Sequence, residues 1–95
     1  MNAFSNYTIE LVGTDEAIKK ATAVLARAFD DESMCGKNRI EIEETYQFVW
    51  VEDVAKLAEL MVKNAPTISG FTISGTVDTS ESSGEYMDFI IKYEN

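Results

Sequence analysis

The chain has 95 residues, with 17 Asp and Glu against 8 Lys and Arg, no His, and a formal net charge of -9. With 45% hydrophobic residues, it is too apolar for a disordered acidic chain and fits one domain over residues 1–95. The charge argues against direct nucleic-acid or membrane-surface binding, and a single Cys permits no internal disulfide.

Tyr7, Ile9 and Leu11 alternate with Thr8, Glu10 and Val12, which predicts a strand over 6–12. Gly13 and Thr14 follow. Thr14 is an N-cap residue type, and Asp15 and Glu16 suit the positive end of a helix dipole. Ile18, Ala21, Leu25, Ala28 and Phe29 then recur at helical spacing, which predicts a helix over 15–29.

Residues 30–38 lack a period and carry turn formers, so they read as a loop. Ile40, Ile42, Tyr46, Phe48 and Trp50 then fall on even positions, with Glu41, Glu43, Thr45 and Gln47 on odd ones. This predicts a long strand over 39–50, aromatics on one face and acids on the other. Glu44 interrupts the apolar register and marks a bend or bulge.

Val54, Leu57, Ala58, Met61 and Ala65 make a second amphipathic helix over 52–64, stopped by Pro66. Two further alternating strands run through Phe71, Ile73 and Val77 and through Met87, Phe89, Ile91 and Tyr93. Asp78–Gly84 forms a polar hairpin loop between them. Two apolar helix stripes and four one-sided strands predict an α+β two-layer sandwich of ferredoxin-like type, with both helices on one face of a four-stranded sheet. The element order departs from βαββαβ unless 39–50 bends into two strands. The opposite sheet face is polar, with Thr8, Glu10, Glu41, Glu43, Thr45, Gln47, Thr72, Ser74, Thr76, Asp88 and Lys92 on it and Val12, Val49 and Ile90 scattered among them.

Catalytic and cofactor chemistry find little support, and the reading is of a protein that is not an enzyme and takes no cofactor or metal. Cys35 has no His to act as its base and lies in an acidic loop that would raise its thiol pKa. The Gly13 turn has strand–helix topology but no Walker pattern, and Asp15 and Glu16 occupy the anion position. Asp78, Ser80 and Ser82 start an EF-hand-like loop, but Gly84 is one place late and Phe89 replaces the bidentate Glu. The aromatics read as core, since a base-stacking platform needs cations beside it.

The charge is unevenly spread along the chain. Residues 1–29 balance; 30–59 hold nine acids against three bases; 60–95 hold five against two. Asp30, Asp31, Glu32, Glu41, Glu43, Glu44, Glu52 and Asp53 carry most of the excess and are the candidate partner-binding residues. Acids alternating on a strand repeat at about 6.8 Å, roughly every second phosphate of one nucleic-acid strand. Solubility alone also accounts for a charge of this size.

The stretch Ile68-Ser-Gly-Phe-Thr-Ile-Ser-Gly75 followed by Ser83-Gly-Glu-Tyr-Met-Asp-Phe-Ile-Ile-Lys-Tyr-Glu94 resembles the terminal hairpin of small ferredoxin-like proteins of bacteriophages and prophages. The matching residues are structural and cover about a third of the chain. The resemblance implies a small mobile-element protein, a class that includes anti-CRISPR and anti-restriction inhibitors, some of them nucleic-acid mimics. The expectation is a binding protein whose partner is basic, such as a nucleic-acid-binding enzyme. The alternative is a small regulatory or ligand-binding domain that forms a homodimer through its open sheet face. No apolar run approaches the roughly 18 residues of a membrane span. The first residues lack a signal-peptide layout, so the expected location is cytoplasmic.

Overall fold

The computed structural model describes residues 3–43, 47–78 and 86–95. The first strand, β1 (Ala3–Val12), buries Tyr7, Ile9 and Leu11 on one face. It begins three residues earlier than the alternation predicts, because its pairing slips between Phe4 and Asn6. This bulge resets the period, so Phe4 and Tyr7 both face the core although three positions apart. Their rings meet at 5.0 Å.

Helix α1 (Asp15–Phe29) matches its predicted span. Thr14 Oγ1 accepts the Ala17 N–H at 3.1 Å, and Arg27 occupies the last turn. The helix buries Ala17, Ile18, Ala21, Thr22 and Leu25. It stops at Asp30, which takes the left-handed φ of 52° that Asp tolerates better than most residues.

The following loop contains one 3-10 turn over Glu32–Met34 and doubles back along α1. The Gly36 N–H donates to Thr22 Oγ1 at 2.7 Å, and the Leu11 N–H donates to the Asn38 carbonyl at 2.8 Å. The loop thus retraces the helix, whose 15 residues span about 22 Å. A helix crossover without that return would make the next strand parallel to β1. Here β2 (Arg39–Glu43) is antiparallel to it, from Glu10 opposite Arg39 to Asn6 opposite Glu43.

The long strand expected over 39–50 is a correction: it ends at Glu43. Phe48 has a φ of 54°, which breaks the pleat. The chain meets β1 again at Val49 and Trp50, with the Phe4 N–H donating to the Val49 carbonyl at 2.6 Å and Trp50 bridged to Ala3. Helix α2 (Val51–Asn64) starts one residue later, so Trp50 is its cap residue and is 40% exposed instead of core. Phe48 is half-buried, its ring 5.0 Å from that of Phe29. Glu44, Thr45 and Tyr46 lie outside the described residues, as do 79–85 of the predicted hairpin loop.

Helix α2 buries Val54, Leu57, Ala58 and Met61. β3 (Gly70–Asp78) and β4 (Tyr86–Glu94) follow, antiparallel to each other throughout. The sheet order is β2-β1-β3-β4, with all three pairings antiparallel. Both helices contribute to one core cluster with Ile9, Leu11, Ile40, Ile42, Ile73 and Val77. The other sheet face leaves Glu10, Glu41, Glu43, Asp88 and Lys92 in water. This is a ferredoxin-like α+β sandwich with the chain order β-α-β-α-β-β.

Candidate functional site

Strand register fixes which residues share an end of the sandwich. At one end β1 begins, β2 and β3 finish and β4 starts: Ala3 lies opposite Asp78, Asn6 opposite both Glu43 and Thr76, and Thr76 opposite Asp88. α2 begins at this end, because Trp50 bridges Ala3. α1 finishes there, because Phe29 packs on Phe48.

Asp30, Glu43, Glu52, Asp53, Asp78 and Asp88 therefore collect in this half, with Arg27 and Lys56 as its cations among the described residues; Asp31 and Glu32 lie on the return loop, where Asp31 shares a groove with Lys37, Arg39 and Glu41. In the other half Glu10, Asp15, Glu16, Glu41, Glu59 and Glu94 stand against Lys19, Lys20, Arg39, Lys63 and Lys92, and Lys37 lies beside Asp31 on the return loop. The ion pairs Lys20–Glu16, Arg39–Glu10, Arg39–Glu41 and Lys92–Glu94, at 3.1–3.6 Å, all lie in this nearly balanced half.

Each sequence-predicted acid has a distinct local setting. Asp30 is the left-handed cap of α1. Asp31 starts the 3-10 turn; its Oδ1 accepts the Ser33 hydroxyl at 2.6 Å and the Ser33 N–H at 3.0 Å. Those two bonds, the hydroxyl foremost, hold the Asp31 carboxyl below its ordinary range, with Lys37 assisting. Glu32 occupies the first position of that turn, and Glu52 and Asp53 the first turn of α2, where the helix dipole favours them. Glu43 ends β2 on the open face. Glu41 is on the same strand but is held by Arg39 at 3.2 Å. Glu44 is outside the described residues. Asp78 and Asp88 join the others because β3 and β4 return to the same end. They lie 25 or more residues from Asp53 in the chain, and the register of the strands brings them to the same end.

The surface carries open grooves. One, of about 530 Å³, lies between α1 and the return loop and is lined by Ala23, Ala26, Arg27, Asp30, Glu32 and Cys35. Cys35 is exposed there. Among the described residues no group of three or more His, Cys, Asp or Glu side chains is placed to hold a metal ion. None of the described helices is long and apolar enough to cross a membrane. The deeply buried polar groups serve the fold. The Tyr7 hydroxyl donates to the Phe48 carbonyl at 2.8 Å, and burial raises its pKa well above the ordinary tyrosine value. Thr22 is fully buried, donates to the Ile18 carbonyl and receives Gly36.

No family model matches the chain, and neither a curated protein nor a solved structure resembles it closely enough to be counted.

Proposed function

We propose that the chain is a non-enzymatic binding protein that docks its acid-rich end on a basic surface of a protein partner. The observation that carries this reading is the segregation of charge: one half of the sandwich is nearly balanced and ion-paired, and most of the excess lies in the other. Charge serving solubility alone has no reason to be so divided. A set of carboxylates spread over strand ends, a helix start and a helix cap is held rigidly by the sandwich, and complementary potentials steer association and set specificity. Basic surfaces of this kind are what nucleic-acid-binding enzymes present. Taken with the resemblance of the terminal hairpin to phage and prophage proteins, the reading extends to an inhibitor of anti-CRISPR or anti-restriction type, from a phage or mobile element, acting in the host cytoplasm.

The test is capture of partners from host lysate on immobilised protein at low and at high salt. One basic nucleic-acid enzyme released by salt supports the reading and names the target. Reversing Glu52 and Asp53 together should abolish that capture, and reversing Glu16 on the balanced half should leave it intact. Capture that ignores both salt and charge reversal would overturn the mechanism.

A further inference from the structure

β4 is an edge strand of nine residues, and among the described residues nothing pairs with its outer side. Natural edges of this length are shortened, bent or covered, because their free N–H and C=O groups template another strand. β4 is instead long and carries two of the large exposed apolar side chains, Met87 at 53% and Ile90 at 63%. Beside it, between α2 and β4, lies an open apolar groove of about 360 Å³, lined by Ala55, Ala58, Val62, Phe71, Ile91 and Tyr93.

The sequence of this strand is complementary to itself when reversed. An antiparallel pair of β4 strands centred on Ile90 places Ile90 opposite Ile90 of the second copy. Asp88 falls opposite Lys92 and Lys92 opposite Asp88, on the open face. Phe89 then meets Ile91, and Met87 meets Tyr93, on the helix face. Moving the centre one residue back leaves Asp88 facing Ile90; moving it one forward sets Asp88 against Glu94. Only the Ile90 register pairs both charges, and directly opposed unlike charges and apolar pairs are the stabilising contacts of a sheet. Lys92 lies 3.1 Å from Glu94 but is 64% exposed, so its ammonium retains donors for a second carboxylate.

From this self-complementarity we infer that β4 is a homodimerisation edge, joining two copies into one continuous eight-stranded sheet about a two-fold axis at Ile90. The contact is isologous and closes on itself, so it does not propagate into a fibre. Met87 of the second copy comes to the mouth of the α2–β4 groove. The antiparallel arrangement also sends the two acidic ends to opposite extremes, which limits the repulsion between two copies of charge -9.

The test is sedimentation equilibrium of the full chain over a range of concentration. The wild type should give a dimer mass, and I90K, which puts two lysines face to face at the axis, should weaken the dimer at least tenfold. D88K alone and K92D alone should each be monomeric, since each creates two like-charge pairs. Mixing those two variants should restore a dimer that contains one of each, and D88K/K92D in one chain should dimerise again. Recovery on mixing also certifies that both single variants are folded. A wild-type monomer at every concentration would overturn the inference and leave the edge to a foreign strand. A dimer indifferent to I90K and to both charge swaps would overturn it as well.

Discussion

The two flanks of the sheet are held by different physics. On the β2 side, polar bonds fix the irregular chain: Thr22 and Tyr7 hold the backbone of Gly36 and Phe48, and the Arg39 side chain bridges the carboxylates of Glu10 and Glu41. On the β4 side, rings and close backbone contact dominate. Phe71 stacks on Tyr93 at 5.3 Å, Phe4 meets Phe89 edge-on at 5.8 Å, and Gly75 lies between Tyr7 and Phe89 in the sheet. A short strand with a long returning loop needs directional bonds to set its path. Long regular strands need only matched surfaces. The β2 flank is therefore expected to fail locally and the β4 flank cooperatively.

The strongest way to break this contrast is at Gly75, where a Cβ would collide with the Asn6 carbonyl oxygen and with Tyr7. Gly75→Ala should destabilise the whole sandwich by about 3 kcal/mol, since β1 and β3 cannot approach without distortion. Chemical denaturation should show one cooperative transition at a lower midpoint.

Thr22→Val should cost about 2 kcal/mol, because it strands the Gly36 N–H in a partly buried site. Hydrogen exchange should show faster exchange of Gly36 and its loop neighbours, with β3 and β4 amides changed far less. Uniform loss of protection across all four strands would show that the two flanks are one cooperative unit.

Tyr7→Phe should cost about 1 kcal/mol by leaving the Phe48 carbonyl unpaired. Its pH signature is sharper. The folded Tyr7 hydroxyl has a pKa raised above its ordinary value of 10.0, so the stability it contributes is complete below pH 10. That stability is lost as pH rises, because the unfolded phenol ionises first. Wild-type stability should fall with a steeper slope above pH 10 than that of Tyr7→Phe, as read from denaturation midpoints.

The smallest effects belong to exposed charge. Arg39→Ala should change stability by less than about 1 kcal/mol, since its two ion pairs are solvent-exposed. Asp31 should titrate below the ordinary aspartate value by NMR. Its hold on the 3-10 turn is complete above that value and is lost as pH falls through the lowered pKa.

Much of the fold was legible in the residues themselves. α1 was readable to the residue, because Thr14, the paired acids and a regular apolar stripe all agree. α2, β3 and β4 were readable within about one residue, since their apolar residues keep one period from end to end, with Gly75 standing at the one vacant place in β3. The reading failed where the period was interrupted. The bulge after Phe4 hid the start of β1, and the apparent long strand is β2 up to Glu43 and a single bridge at Trp50, with a positive φ at Phe48 before it.

The candidate site divides the same way. That the middle of the chain is acidic is a property of the sequence. Which acids stand together is not: Glu41 is paired off by Arg39, and Asp78 and Asp88 arrive from the other hairpin. Local spacing determines helices, strands and total charge, because these depend on neighbours within a few residues. The direction of β2, the gathering of charge at one end and the free edge of β4 depend on contacts between distant segments, and only the packed sheet decides them.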